Sequence, residues 1–504
     1  MAGLIDAHED ATSARVHPLG ARDPIHGAIF PADVRPGDPI IARVRTAGAP
    51  GEGAPAPVWR ISPLGVEFVR TAALAAASPG DAVDVTLRVG KSESRFEGLR
   101  VVATRGDRGR ELVALRWSDA CDSDERAPAG ERRDAARWSC GHEYLPTGVA
   151  ANSVRFDEHL HFRILDISRT GMRLVTSLRN KYLIPGVRLE ATCAFPTVGE
   201  VKISFRVVRA HVTVEDGNKY LAVGATWSVR DRRVRDRVAQ YLLRFGPGTT
   251  LRALRADAFE PSTASDAFEY GYVRTDDDYR DVLALRRLAY VAAGKVGPDA
   301  RNEDMADAFD ERSRILIARH QGKIVGTMRL MFPATATDPL KHAEYLTLPA
   351  SMPPLVQLVE ISKASTHPDY RGGDLFYSMT VRAAVTTVQA GRRYLFMSST
   401  QPLVPIYRKL GVRKMGASYV HPTMHLEHHL LLGDAPRIMM GQGMNPIFWN
   451  AVKGRDVWDY ACLCGIVEQT LAHRARVLVW RMFAPLGFVA SRYLRSLRAR
   501  SRRA

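Results

Sequence analysis

Between about Val34 and Trp117 the chain is written in short runs of alternating apolar and polar residues: IIARVR, GVEFVR, AVDVTLRV, GLRVVA and LVALRW, separated by turn-forming residues. A period of two puts every second side chain on one face of an extended strand, so these runs can line one face of a sheet but not one face of a helix. The pattern lapses in a charged stretch, Asp119 to Ser139, and restarts with HFRILDIS, GMRLVTS, VRLEATCAF, EVKISFRVVRAHV and KYLAVGATW. It closes in RDRRVRDRVAQYLLRF, where Val234, Val238, Tyr241 and Leu242 share one helical face. One all-β unit therefore occurs twice, and a small turn recurs with it: RISPLG, Arg60 to Gly65, and DISRTG, Asp166 to Gly171.

From about Phe268 the pattern changes to mixed α and β. A helix over DDDYRDVLALRRLAY precedes a hairpin of RILIARH and KIVGTMRLM turned by Gln321 and Gly322. A strand LVQLVEIS, a loop THPDYRGGD, a helix from Leu375 to Gly391, a strand YLFMSS and a short helix capped by Gly411 follow. At 504 residues the chain has room for about three domains. The expected division is a disordered N-terminus over 1–30, β-units over 31–120 and 130–247, an α/β domain over 265–465 and a basic tail over 470–504.

The net charge of +17 favours polyanionic partners such as nucleotides, nucleic acid, acidic proteins or anionic lipid. Five cysteines without a CxxC pair encode neither a zinc site nor a disulfide framework and fit a reducing cytoplasm. The first twenty residues carry acids and histidines where a signal peptide needs an apolar run, and no stretch is long and apolar enough to span a bilayer. A cytoplasmic location is expected.

Two motifs mark the second β-unit. RRDAAR supplies Arg132, Arg133 and Arg137, and DISRTG supplies Asp166, Ser168 and Gly171 about thirty residues later. In that order, before a β-pattern, they resemble the RRxxxR and DxSxxG motifs of the PilZ domain, over about Arg132 to Phe245. The resemblance implies a cyclic di-GMP receptor. Guanidinium groups pair with phosphate and stack on purines, a carboxylate accepts from a guanine edge, Ser168 can donate or accept, and Gly171 permits a tight backbone. RISPLG has Arg60 in place of the acid and no matching arginine run before it, so the first copy is expected to keep a PilZ-like fold without the ligand.

A second series lies in the α/β region: Arg286 and Arg287 in LRRLAY, Asp307 and Asp310 in DAFD, Arg329 in GTMRL, Glu360 in VEISK, the loop HPDYRGG and the motif PIYRKLG. It resembles the GNAT acyltransferase superfamily over about Phe268 to Gly416, and within it the LuxI-type autoinducer synthases and FeeM-type N-acyl amino acid synthases. The resemblance implies Glu360 as general base for an amine, Tyr407 as proton donor to a departing thiolate, and Arg329 as partner of an acceptor carboxylate. It further implies substrate or acyl-carrier contacts from Arg287, Asp307 and Asp310. Arg371, Gly372 and Gly373 would open a helix whose N–H groups hold phosphates. Asp374 departs from the common superfamily pattern and points to an acyl carrier protein rather than acetyl-CoA. Asp307, Asp310 and Arg287 also read as a surface ion-pair network, and Glu360 as a structural acid.

HPTMHLEHH, His421 to His429, has no second cluster to complete a metal site, so no metal is expected. After Glu468 the chain has no acid, and nine arginines from Arg474 onward accompany Leu486, Ala490, Tyr493, Leu494 and Leu497 on one helical face. A basic amphipathic helix of this kind can lie on an anionic membrane surface, and no nucleic-acid module accompanies it.

The whole reads as multidomain: two all-β PilZ-like barrels, an α/β GNAT domain and a basic amphipathic C-terminal helix. The expected function is a cyclic di-GMP-responsive N-acyltransferase, with acyl carrier protein or acyl-CoA as donor, an amino-acid-like amine as acceptor and no permanently bound cofactor. The alternative is a non-catalytic cyclic di-GMP effector whose GNAT fold only binds a partner.

Overall fold

The computed structural model describes residues 40–117, 136–151, 158–227, 231–422, 425–444, 449, 454–465, 470–471, 474–475 and 478–479. The expected N-terminus over 1–30, Arg132, Arg133 and nearly all of the basic tail lie outside them. The chain forms two compact units, Met1–Val234 and Arg235–Ala504.

The first unit holds two curled antiparallel sheets. The first sheet contains β1 (Ile40–Thr46), β2 (Ala54–Pro55), β3 (Val58–Ser62), β4 (Gly65–Val69), β5 (Ala82–Val89), β6 (Ser92–Asp107) and β7 (Arg110–Arg116). Its order is β2-β1-β5-β6-β7-β4-β3. The outermost strands, β2 and β3, are joined by only Ala56 and Pro57, so the sheet must curl to bring its edges together. The alternation seen in the sequence is realised here: Ala42 faces Leu87 and Val44 faces Val85, all four buried.

The second sheet contains β8 (Arg137–Ser139), β9 (Thr147–Ala151), β10 (His159–Ser168), β11 (Gly171–Ser177), β12 (Arg188–Phe195), β13 (Gly199–Glu215) and β14 (Asn218–Trp227). Its order is β11-β14-β13-β12-β9-β10-β8, and β10 also pairs with β11, so this sheet curls back onto itself. The repeated turn has the same build in both sheets. The Gly65 and Gly171 N–H groups donate to Ser62 and Ser168 Oγ at 3.1 and 3.0 Å, and the indoles of Trp117 and Trp227 donate to the carbonyls of the same serines at 2.9 Å.

The boundary between the units falls inside α1 (Arg232–Phe245), and α2 (Leu251–Ala256) follows in the second unit. The sequence places α1 at the end of the second β-unit, but its apolar face could not name its partner. The stretch after Leu242 meets the second unit: Leu243 O lies 2.5 Å from His320 Nε2, and Gly246 O accepts from Gln321 Nε2 at 2.6 Å. The elements that follow are β15 (Glu269–Tyr272), α3 (Asp276–Val291), β16 (Ser313–His320), β17 (Lys323–Met331), β18 (Leu358–Thr366), α4 (Leu375–Gln389) and β19 (Tyr394–Thr400). α5 (Val404–Lys409), β20 (Arg413–Val420), β21 (Glu427–Asp434), α6 (Ala435–Met439) and α7 (Gly454–Leu463) complete the unit. Thr275 caps α3 by accepting from the Asp278 N–H, and three aspartates occupy its first turn, where the helix dipole favours anions.

The sheet order is β15-β16-β17-β18-β19-β21-β20. Only β18 and β19 run parallel, and they pair from Leu358↔Tyr394 to Ile361↔Met397 and no further. Beyond that point their remaining residues open a cleft in the middle of the sheet. Among the described residues no helix is long and apolar enough to cross a membrane.

A Cβ built on Gly171 would lie 2.8 Å from the Ala225 carbonyl oxygen, and backbone cannot move aside as a flexible side chain can. Gly171→Ala is expected to cost about 1–3 kcal/mol of stability, read as a lower urea midpoint. An unchanged midpoint would mean that the strands do not approach so closely.

Candidate functional site

The cleft between β18 and β19 holds a cavity of about 330 Å³. Ile361 to Ala364 line it from β18, Ser398 to Thr400 from β19, and Tyr290, Lys295, Lys341, His342, Tyr345, Tyr407, Tyr419, His421 and His428 from the surrounding elements. A bulge shapes its floor. Arg329 pairs with Ser362 while Thr327 pairs with Ser365, so β18 carries one residue more than β17 over this interval. Lys363 takes up the excess at φ 52°, a left-handed conformation that is strained for a side chain of this size.

A charge network underlies the cavity, and two of its members, Asp307 and Arg329, also line it. Arg286 on α3 is 0% exposed and grips Asp310 with two nitrogens, at 2.6 and 3.1 Å. Asp310 also accepts from Tyr279 Oη at 2.9 Å and Arg329 Nη1 at 3.3 Å. Arg329 Nη1 reaches Asp307 at 3.1 Å and its Nε donates to Ser362 Oγ at 2.8 Å. Burial pushes the Asp307 carboxyl up, but the Phe309 N–H with Arg329, Lys363 and Lys341 outweighs it and holds the group below the usual carboxylate range.

Three expectations change here. Asp307 and Asp310 are not on the surface, as an exposed ion-pair network would require. The arginine that joins them from α3 is Arg286, whereas Arg287 points away and donates to the Ala300 and Pro298 carbonyls. On a helix, neighbouring residues face directions about 100° apart, so only one of two adjacent arginines can enter the core. Arg329, 1% exposed and engaged through two of its nitrogens, has no free fork for an acceptor carboxylate. Three lysines also line the cavity: Lys341 and Lys363, 3.6 and 3.7 Å from Asp307, and Lys295, whose ammonium lies over the Tyr290 ring with no acidic partner among the described residues.

Glu360 has no exposure and stands at the last paired positions before the strands part, just below the cavity rather than on its wall. Its oxygens accept from the Lys341 and His342 N–H groups at 2.9 and 3.2 Å. Burial pushes its carboxyl up to about 7, against the pull of those N–H groups and of Arg329. Tyr407 does line the cavity, packed edge-on to Phe376, and burial pushes its phenol up to about 12. A phenol that weak holds its proton more tightly than an ordinary thiol, near pKa 8.5, so Tyr407 can steady a thiolate by hydrogen bonding but gives up its proton poorly.

The loop Arg371, Gly372, Gly373 is covered by α2. Arg255 donates to the Arg371 and Gly372 carbonyls at 2.7 and 2.9 Å, and Arg371 itself donates to Ala289 O. Gly372 has φ 75°, and a Cβ on Gly373 would strike Leu251 at 2.8 Å, so both glycines answer to backbone and packing demands. Asp374 accepts from the Ala264 N–H.

Two histidines of the run set aside as a metal site, His421 and His428, line the cavity. His421 and His428 flank Tyr345 and Tyr419, with His342 behind them. Burial first, then the neighbouring charges, pushes His342 down to about 3 and His428 down to about 4, so both rings are neutral near pH 7. The signal available in EHHLLLGD is strand alternation, which turns His428 inward. Among the described residues no three His, Cys, Asp or Glu side chains group as metal ligands do.

In the first unit, Asp166 is buried and sits opposite Arg173 across the turn, its oxygens 2.8 Å from Arg173 Nε and 3.4 Å from Arg137 Nη1. Arg173 was not picked out from the sequence, although it is the cross-strand partner of Asp166. Ser168 closes the turn through Gly171, as its counterpart does in the other copy. That copy carries the same cross-strand pair with the signs exchanged: Arg60 opposite Glu67, at 2.7 Å, with Arg105 also gripping the fully buried Glu67 through two hydrogen bonds. Burial raises the Glu67 carboxyl, and the two arginines more than reverse this.

Residues 285–381 match a family model described as an acetyltransferase (GNAT) domain. No curated protein matches the chain. Among solved structures, K. pneumonia MrkH in complex with c-di-GMP is 18% identical over 40% of this chain and 85% of its own, with a TM-score of 0.21. FeeM, an N-acyl amino acid synthase from uncultured soil microbes, is 15% identical over 34% and 92%, TM-score 0.28. The PilZ domain of Escherichia coli YcgR with c-di-GMP is 16% identical over 21% and 83%, TM-score 0.19. Likenesses at this level say nothing of what this chain binds.

Asp310→Asn leaves Arg286 buried beside a neutral partner and is expected to destabilise the second unit by about 3–5 kcal/mol. Arg287→Ala, which removes only contacts to two carbonyls, is expected to leave the unfolding midpoint nearly unmoved. Equal losses in denaturant unfolding would contradict the assignment of Arg286 rather than Arg287 to the network.

Proposed function

We propose that the second unit is an N-acyltransferase, joining an acyl chain carried as a thioester to the amine of an amino-acid-like acceptor. The observation that carries this reading is the cleft where β18 and β19 part, whose β18 side lies within the residues 285–381 that match a GNAT domain. There a long thioester arm can enter between two strands and meet a small pocket rich in ammonium groups. The amine nitrogen attacks the thioester carbonyl, a C–N bond forms, the C–S bond breaks, and the amine's proton must leave. Glu360, raised by burial into the range where a carboxylate is a useful base at neutral pH, receives that proton. Lys295 and Lys363 supply positive charge for the acceptor's carboxylate, in the role first expected of Arg329. The donor is an acyl carrier protein or acyl-CoA, presented along the α4 N-terminus and the Arg371–Gly373 loop.

The second β-unit is proposed to bind cyclic di-GMP through Arg137, Asp166 and the arginines 132 and 133, with Arg173 orienting Asp166, and to set the activity of the enzyme. An anionic membrane surface remains a proposed partner of the basic tail. The first β-unit has Arg60 at the place of the acid, and its one carboxylate there, Glu67, is buried and held by Arg60 and Arg105, which leaves it unavailable to a guanine edge.

The alternative, a non-catalytic effector, draws on Glu360 having both oxygens tied to backbone N–H groups as a structural acid would. Thiol release from acyl donors with amino-acid acceptors separates the two. Glu360→Gln, confirmed folded by thermal unfolding, is expected to lower kcat by roughly 100-fold or more. Full activity would leave Glu360 a structural acid. For wild type the sign of the pH effect follows from the raised carboxyl: Glu360 is protonated and unable to accept below about pH 7, so kcat is expected to rise with pH through that value. A flat profile from pH 5 to 8 would contradict this. In calorimetric titrations with cyclic di-GMP, Asp166→Ala and Arg137→Ala are each expected to weaken binding about tenfold or more, and unchanged affinity would refute the nucleotide site.

A further inference from the structure

Glu360 does not touch the cavity, so an amine bound there cannot hand it a proton directly. The structure provides a chain of side chains between them. His342 Nε2 lies 3.4 Å from Glu360 Oε1 but makes no hydrogen bond there, so the imidazole must turn to complete this link, the longest of the chain. His342 Nδ1 meets Tyr419 Oη at 3.3 Å, Tyr419 Oη meets Ser398 Oγ at 2.9 Å, and Ser398 Oγ meets His428 Nδ1 at 3.3 Å. The chain ends at His428 Nε2, a buried nitrogen without a hydrogen-bond partner on a ring that lines the cavity.

The geometry points to a proton wire, with His428 as the catalytic residue that touches the acceptor amine and Ser398, Tyr419 and His342 as positioning residues that pass the proton to Glu360. This rests on the acyltransferase reading. Every link has a consistent direction. His428 carries its proton on Nδ1 and donates to Ser398, Ser398 donates to Tyr419, Tyr419 to His342 Nδ1, and His342 Nε2–H faces the Glu360 carboxylate. As the amine attacks, its proton moves to His428 Nε2. The Nδ1 proton passes to Ser398, the serine proton to Tyr419, the phenol proton to His342 Nδ1, and the His342 Nε2 proton to Glu360. One proton enters, one is held at Glu360, and each intermediate group ends neutral. Tyr345 stacked on Tyr419 at 5.1 Å and Phe396 edge-on to His342 at 5.4 Å wall the wire with aromatic rings.

Two measurements test it on the full chain. Nitrogen-15 NMR of the histidine rings at neutral pH reads the tautomers without any need for substrate. Nδ1–H on His428 and Nε2–H on His342 are expected, and Nε2–H on His428 would overturn the wire whatever the kinetics show. In acyl transfer, Tyr419→Phe and Ser398→Ala keep the shape and remove one link each. Both are expected to lower kcat about 10- to 100-fold with KM moved less than about twofold, and His428→Ala is expected to recover activity with added imidazole. Wild-type rates in the Phe and Ala variants overturn the wire and leave the acyltransferase reading standing. A wild-type chain that releases no thiol with any amino acid removes that reading, and the tautomers still decide whether the wire is built.

Discussion

Asp310 is shared by two arginines that have almost no contact with water, Arg286 from α3 and Arg329 from β17. Two guanidinium groups can be buried at this depth only because two carboxylates, Asp310 and Asp307, and the Ser362 hydroxyl answer most of their charge and their donors. The same network positions the helix, the strand and the bulge that surround the cavity. Arg329 takes Ser362 as its partner at the point where β18 carries its extra residue, and Lys363 is turned into the left-handed region next to it. The strain at Lys363 is therefore held in place by the charges beneath it.

The parting of β18 and β19 turns that foundation into a site. Parallel pairing stops at Ile361 and Met397, and one residue earlier stands Glu360, still inside the sheet. A carboxyl at such a place is dry enough to have a raised pKa and too deep to meet a substrate. Reactive groups at the cavity wall and a proton acceptor behind it are thus separate problems. The aromatic and histidine side chains of β20, β21 and the Lys341–Glu344 turn lie between the two.

In the first unit one turn serves two outcomes. Ser62 with Gly65 and Ser168 with Gly171 make the same hydrogen bonds, and Trp117 and Trp227 lock them in the same way. What differs is the pair of residues across the strands. Asp166 with Arg173 leaves an acid at the turn flanked by exposed arginines, whereas Arg60 and Arg105 close upon a buried Glu67 and leave one positive charge in excess. Fold and ligand chemistry are separable here, because the turn depends on the Ser and Gly and the charge depends on two positions that the turn does not need.

The sequence by itself determined the elements and their order: period-two runs for the two β-units, helix caps and hairpin turns for the α/β region, and the doubled turn that marks the repeat. It also singled out Glu360, Asp307, Asp310 and Asp166 as candidates, since chemical type and spacing are local properties. Only the tertiary structure decided which partner each of these has. Arg286 and Arg287 are adjacent in sequence and opposite in environment, because a helix turns by about 100° per residue and the core lies on one side. Arg173 meets Asp166 only when β10 and β11 pair, and Lys295 and His428 come from distant segments that converge only in the folded unit. The histidines after β20 looked like an incomplete metal run because their counterpart, His342, lies about eighty residues earlier, and the cleft that brings them together exists only once β18 and β19 part.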